Sequence, residues 1–481
     1  VTGKPDVSPG GGPSRPADDG LGRRTEGALG RRDQGALGRL ADGALTRRVA
    51  LLAPLALGGC GLWDDWFGDK KTPLPGKREP VMSGQTSLKV SEGVPKVSLP
   101  PAVRNAAWPQ AGGNPAHLMG HLAANERLGV AWRSDIGDGG GYRQKILAQP
   151  VVANGIVFTM DSDAVVSAFD LASGNRAWRF DTKDKDNESS NIGGGLGVDQ
   201  GTLYAVNGLG DVLAIDPANG TERWRADLGA PARSAPTIAE GRIFVTTIEE
   251  KLVALASSDG HTLWSHRAST PTTSLLGRPA PAYSRGLIVG GFGSGELSAL
   301  RADSGRVAWT DGLGATRGRS SIADLLSIRG APVISDGRVY AISMGGLLAA
   351  IDLPTGRRLW ERQIAGADAP LVAGDWLFVI SVDQEMTAIN ALDGRIAWIT
   401  ALPRWDNPEK QRDALTWFGP LLVSDRLVVT GTNGEALSIS PYTGEIIGRQ
   451  PLSGAASPVP PLLADGTLLV VSDDGRVTAF R

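Results

Sequence analysis

Residues 212–224 read VLAIDPANGTERW, with Ala214 and Asp216 followed by Gly220 and then Trp224. The phrase returns as VSAFDLASGNRAW (Ala168, Asp170, Gly174, Trp178) and LVALASSDGHTLW (Ala254, Gly260, Trp264). It returns again as LSALRADSGRVAW (Ala299, Gly305, Trp309), LAAIDLPTGRRLW (Ala350, Asp352, Gly356, Trp360) and MTAINALDGRIAW (Ala388, Asn390, Gly394, Trp398). A seventh copy, ALSISPYTGEIIG, keeps Gly444 but carries Gly448 in place of the tryptophan. The Asp-equivalent positions are 170, 216, 256, 301, 352, 390 and 440, so one supersecondary unit recurs every 38 to 51 residues.

Two more short apolar runs precede each phrase, such as APTIA at 235–239 and GRIFVTT at 241–247, or APVIS at 331–335 and GRVYAIS at 337–343. Rich in β-branched and aromatic residues and bounded by Gly, Asp and Asn, they read as strands. Each unit is then four antiparallel strands, A to D, with the Asp-to-Gly segment as the C–D turn. Asp can accept backbone N–H bonds there and Gly tolerates positive φ. The small Ala in strand C lets a neighbouring sheet approach, and the Trp in strand D is a large wedge whose N–H needs an acceptor.

Four-stranded units at this period predict an all-β fold, a β-propeller. The chain finishes GRVTAFR with no turn glycine and no tryptophan after it, while LGVAWRSDI at 128–136 supplies Trp132 with no strand C before it. The N-terminal strand is therefore expected to complete the last blade. That closes a ring of eight, with C strands ending near 170, 216, 256, 301, 352, 390, 440 and 481. Trp132, Trp178, Trp224, Trp264, Trp309, Trp360 and Trp398 are the expected structural wedges.

Composition agrees. The chain has 481 residues, 41% apolar and 21% charged, with 65 glycines, which suits a turn-rich β protein. A net charge of −2 gives no basic surplus for nucleic acid. The single cysteine, Cys60, excludes an intrachain disulfide and a CxxC metal site. Arg47 and Arg48 precede an apolar run from Val49 to Leu57, too short to span a bilayer, which reads as a signal peptide. Leu57-Gly58-Gly59-Cys60 resembles a bacterial lipobox, which implies cleavage before Cys60 and its lipidation. The expected organisation is a disordered octamer-repeat extension over 1–46, with translation starting nearer Leu45, and a signal peptide over 47–59. A lipidated Pro-, Lys- and Ser-rich tether over 60–104 and the propeller over 105–481 follow. Trp63, Trp66 and Phe67 either rest at the membrane interface or belong to a plain solvated tail.

Catalytic motifs are missing from the sequence. It contains neither a nucleophile elbow on a strand-to-helix turn nor a P-loop. GGFGSG at 290–295 lies between two strands and reads as a hairpin turn. His117 and His121 would share a face if their segment were helical, but no third ligand is evident, and capping or packing is the expected role. DTKDKDNESSN at 181–191 lacks the spacing of a calcium loop and reads as a solvated one. No metal site, no catalytic residue and no cofactor are expected.

The Ala-x-Asp-x-x-x-Gly-x-x-x-Trp phrase is similar to the propellers of pyrroloquinoline-quinone dehydrogenases. That resemblance implies a cofactor on the axis over a vicinal cysteine pair, which this chain does not have. A quinoprotein-like enzyme or a small-ligand-binding propeller is the alternative reading, since scaffold likeness does not carry activity. The lipobox, the tether and eight blades of this phrase together resemble the BamB family, lipoprotein accessories of the outer-membrane β-barrel assembly machinery. The opening AWPQAGGNPAHLMGHL at 107–122 is similar to the entry segment of α-proteobacterial members. The resemblance covers Cys60 to Arg481. It implies a non-catalytic scaffold, monomeric within a hetero-complex at the periplasmic face of the outer membrane. Its partner would be a POTRA domain of a BamA-like subunit, with nascent outer-membrane proteins as further partners.

The family's binding loops map onto TSLLGRPAP, 273–281, and SIRGAP, 327–332. The resemblance implies partner-binding roles for Ser274, Leu275, Leu276, Gly277 and Arg278, and for Ser327, Ile328 and Arg329. Leu276 stands where the family has Arg, and Ser327 and Arg329 replace two acids, so the family's interface charges are altered. Both loops join strand D of one blade to strand A of the next, as do the long insertions 181–194, 312–330 and 402–418. Such loops, the last bearing Trp405 and Trp417, are expected on one face, either for binding or as space-filling.

Overall fold

The structure, a computed structural model, describes residues 88–125, 127–141, 144–183, 189–271, 277–314, 326–452, 454–456 and 458–481. Among them are eight four-stranded antiparallel sheets and one two-stranded hairpin. Blade 1 is Val151–Ala153, Ile156–Met160, Val165–Asp170 and Arg176–Asp181, in that order from A to D. Blades 2 to 7 occupy 195–227, 237–267, 282–312, 333–362, 371–401 and 417–451. Blade 8 takes strands A to C from Leu462–Ala464, Thr467–Ser472 and Arg476–Phe480, and its D strand from Val130–Asp135. Gly129 and Arg481 exchange backbone hydrogen bonds of 2.7 and 2.9 Å at this join. The ring of eight closed by the N-terminal strand is as the sequence predicts, and the C strands end within one residue of the predicted positions.

Strand composition follows from position in the blade. B and C strands are buried on both faces and read as near-continuous apolar runs, such as Arg242–Thr246 and Lys251–Ala256. D strands are outer edges, alternate in burial and carry charge, as Thr262–Arg267 and Arg358–Arg362 do, which blunts edge-to-edge pairing.

The repeated alanine has a role beyond letting a sheet approach. Ala254 lies directly between Phe244 of strand B and Trp264 of strand D in the register. The same row recurs as Phe158–Ala168–Trp178, Tyr204–Ala214–Trp224, Tyr340–Ala350–Trp360 and Phe378–Ala388–Trp398. With only a methyl in the middle, each indole leans across strand C onto the aromatic ring of strand B. The centroids lie 5.9 to 6.2 Å apart, and such pairs contribute roughly 0.5–1.5 kcal/mol beyond area burial.

The turn glycine belongs to the next blade's lock. A methyl at Gly174, Gly220, Gly260, Gly305, Gly356, Gly394 or Gly444 would meet the tryptophan of the preceding blade at 2.5–2.8 Å. The indole N–H of Trp132, Trp178, Trp264, Trp309, Trp360 and Trp398 donates to a carbonyl in that same turn at 2.7–3.0 Å. The exception now has a reason. Gly448 would point at blade 8, whose strand C leads into no C–D turn, because strand D comes from 130–135. No turn glycine and no turn carbonyl are present to receive an indole. A crevice of about 290 Å³ between Val428, Ser438, Leu468, Val470 and Phe480 marks the place.

Gly356→Ala and Gly448→Trp should therefore act in opposite directions. The first sets a methyl 2.5 Å from Trp309 at a residue with φ of 73°, and should lower the melting temperature. The second fills the crevice, and denaturant melts should show a gain of about 2 kcal/mol. A loss of stability in Gly448→Trp would mean that the crevice cannot take the ring.

Candidate binding face and axial cavity

Residues 103–124 circle the axis and bond to the inner strand of blade after blade. Asn105 bonds to Leu463 and Asp465, Trp108 pairs with Val152, and the Pro109 carbonyl receives Val198 N–H. Gln110 holds Ile238 N–H at 2.9 Å. Pro115 and Ala116 accept from Tyr283 and Ile334, and Leu122 donates to Leu422. Leu118 packs among the apolar side chains of blades 5 and 6. The segment is non-repetitive because each residue meets a different blade. Gln149 secures it, accepting from Trp108 Nε1 and Gly112 N–H and donating to Pro460 O.

Above this plug lies a cavity of about 210 Å³, walled by the residues that lead into the eight A strands. The sequence carries a signal for it: R-x-A-P occurs in three successive blades, as Arg233–Pro236, Arg278–Pro281 and Arg329–Pro332. Blade 6 has Asp368 two residues before Pro370, and blade 1 has Gln149 before Pro150. The three arginines hold equivalent positions on the ring, and all three line the cavity together with Asp368 and Gln149 from their own blades.

The expected partner-binding residues divide. Arg278 is not on the surface. It is buried with Glu250 in an ion pair, and Glu250 also takes Gly293 N–H at 2.7 Å, which ties blade 3 to blade 4. Ser327 and Ile328 are buried as well. Ile328 fills the hole left where Gly291 has no side chain, 2.6 Å from where its Cβ would be, and so serves the core between blades 4 and 5. Gly277 is half-buried with open space beside it. Arg329 is half-buried and lines the cavity. Ser274, Leu275 and Leu276 lie outside the described residues.

The 181–194, 312–330 and 402–418 segments are D–A connections as expected. The last contains a hairpin, Trp405–Asn407 with Arg412–Ala414. Trp417 is a core residue, 1% exposed, with its indole bonded to Pro403 O, so of the two tryptophans only half-buried Trp405 has exposed surface to offer. His117 and His121 are not on a helix and do not converge. His117 Nδ1 bonds Pro332 O at 2.7 Å, while His121 Nδ1 bonds Pro100 O and its Nε2 receives Asp425 N–H. Each ring is held by backbone groups rather than by the other histidine.

Burial pushes the His117 imidazole down to about 4. Burial lifts the Asp368 carboxyl to about 6, opposed by the charge of Arg329 and a hydrogen bond from Gly419 N–H. Burial also lowers Arg233, and the neighbouring Arg278 charge adds to this. His117 takes up its proton near 6.5 when unfolded but only near 4 when folded. Its contribution to stability is thus present above pH 6.5 and lost as the pH falls toward 4. Asp368 has the opposite sign: its contribution is full below about pH 3.8 and is lost as the pH rises through 6. Asp368→Asn removes the compensating slope. Its melting temperature should fall more steeply than the wild type's between pH 6.5 and 4. Parallel curves for the two proteins would show that Asp368 titrates as an ordinary carboxylate.

Comparison with known proteins places this architecture. The family described as "Outer membrane protein assembly factor BamB" matches residues 129–192, 162–400 and 404–481. A relative of that name from Vibrio cholerae is 31% identical over 346 residues, 72% of this chain and 86% of its own. The crystal structure of BamB from Moraxella catarrhalis superposes with a TM-score of 0.63 at 22% identity, over 74% of this chain and all of that one. A quinohemoprotein alcohol dehydrogenase from Comamonas testosteroni shares the fold alone, with a TM-score of 0.60 at 14% identity over 79% of this chain and 81% of that one. With the family match running through all eight blades, the chain belongs to the BamB family of outer-membrane protein assembly factors, which are non-catalytic.

Proposed function

We propose that the chain is a lipid-anchored scaffold at the periplasmic face of the outer membrane, of the α-proteobacterial type. In this reading it binds a POTRA domain of a BamA-like subunit and assists the assembly and insertion of outer-membrane proteins. The observation that carries the reading is the family match through every blade from residue 129 to 481. Cys60, behind Arg47-Arg48 and Leu57-Gly58-Gly59, is the anchor. The tether follows Cys60, and the first described residues pack on the propeller. Leu88 lies among the apolar residues of blades 5 and 6, Ser91 bonds Ile396, and Val97 is buried between blades 6 and 7.

The partner meets the D–A face at the 272–277 and 402–418 connections. Buried Arg278, Ser327 and Ile328 support this face from behind, and Leu275 and Leu276 supply its apolar contact. Truncating or charging such an anchor costs ~2 kcal/mol or more.

Two measurements test this. Intact mass of membrane-extracted protein should give a chain beginning at acylated Cys60, and a soluble species retaining Thr46 would end the anchor assignment. The double variant Leu275→Asp, Leu276→Asp should lose the BamA-like subunit in pull-downs from detergent-solubilised membranes while melting as the wild type does. Undiminished copurification would remove the 272–277 loop from the interface and leave the Trp405 hairpin.

A further inference from the structure

The axial cavity is lined by two arginines that make no side-chain hydrogen bond or ion pair among the described residues. Arg233 and Arg329 enter it from two D–A connections, one on either side of Arg278. Arg278 is neutralised by Glu250. Arg233 has no such partner: its Nε is fully buried with no hydrogen bond, and no carboxylate of the described residues stands at ion-pair distance from its guanidinium. Arg329 feels the charge of Asp368 without a direct ion pair or side-chain hydrogen bond among the described residues.

On the floor, His117 is 8% exposed and its Nε2 is buried without a partner. Its Nδ1 must be the protonated nitrogen, since a carbonyl oxygen can only accept. Nε2 therefore offers a lone pair. Leu147, Met119, Leu421 and Val459 line the remainder with apolar surface. Buried polar groups are normally satisfied, and an orphaned donor and an orphaned acceptor in one cavity define what is missing from it. Guanidinium forks match carboxylate and phosphate oxygens. The space greatly exceeds a water molecule's share of about 30 Å³, so a small inorganic ion would leave the apolar walls unfilled.

We propose that the axial cavity binds a small organic oxyanion. Its carboxylate or phosphate group lies on Arg233 and Arg329, its apolar body lies on the cavity wall, and a hydroxyl or amine donates to His117 Nε2. The proposal does not rest on partner binding, since its test reads ligand binding by the chain alone.

Isothermal titration of the full chain near neutral pH tests it with 4-hydroxybenzoate, 4-hydroxyphenyl phosphate, inorganic phosphate and the uncharged isostere 4-hydroxybenzamide. The carboxylate or the phosphate ester should bind, and the stronger of the two identifies the head group. The amide and inorganic phosphate should each bind at least about tenfold more weakly. Arg233→Ala and Arg329→Ala should each lose about tenfold or more. Without ligand, the melting temperature of Arg233→Ala should stay level or rise, because a cation with no opposing charge beside it leaves the cavity. Binding of inorganic phosphate or the amide as tight as that of the organic anions overturns the proposal. So does unchanged binding in the Arg233→Ala variant, or no heat from either organic anion at millimolar concentration.

Discussion

The contact between an indole in one blade and a bare glycine in the next is what the rest of this molecule depends on. Four-stranded sheets do not close a ring unless each pair of neighbours meets at the same angle and depth. Here the depth is set by steric exclusion: no Cβ fits at Gly174, Gly260 or Gly356, and the indole lies in the space this leaves. The angle is set by the N–H bond to the turn carbonyl, as from Trp309 to Leu353. A wedge that must both fill a volume and satisfy a donor has few alternative poses. Repetition of the phrase thus specifies interface geometry as well as strand order.

A ring built this way has a hollow centre, and the chain fills one end with its own N-terminal segment. The inner strands of the blades present unpaired backbone groups to the axis, since each A strand has a sheet partner on one side only. Residues 103–124 satisfy a set of these, blade by blade. The requirement is for backbone hydrogen bonding rather than particular side chains. That explains why the segment shows neither periodicity nor an apolar face. It also gives the axial cavity a rigid floor, so that His117 is positioned by Pro332 on the far wall rather than by its own neighbours.

The scaffold was legible in the sequence to within a residue because each blade repeats the same physical demand. The aromatic residue of strand B was visible in GRIFVTT and GRVYAIS, but its link to the tryptophan two strands away depends on register, which the phrase alone does not state. Sites were less legible. Arg278 and Ile328 lie in connecting segments, which normally run exposed. They are buried because glycines nearby leave room: Gly291 for the Ile328 side chain, and Gly293, whose N–H shares Glu250 with Arg278. The R-x-A-P recurrence was readable. It does not stand out, because the converging arginines sit at positions that obey the repeat rather than interrupt it.

The seam between blades 7 and 8 shows how the ring tolerates the one interface without its lock. Velcro closure forbids the lock there, because the strand that finishes blade 8 arrives from the other end of the chain. Covalent connection takes its place. Ala124 exchanges hydrogen bonds with Ser424 of blade 7 through Oγ, Arg426 reaches Asn125 O, and Leu128 packs against the apolar core of the seam. The chain then pairs at Gly129 with Arg481 of blade 8 and runs on as its outer strand. Arg481, standing where other blades have Asp, carries the stitch onward to Leu171 and Ala172 in the C–D turn of blade 1, the same turn that receives Trp132. A short connection anchored at both ends loses little entropy on closing, so blades 7 and 8 can be held without an indole between them. The seam is thus the joint where the ring is held by the path of the chain instead of by side-chain shape, and its crevice is the space that this substitution leaves.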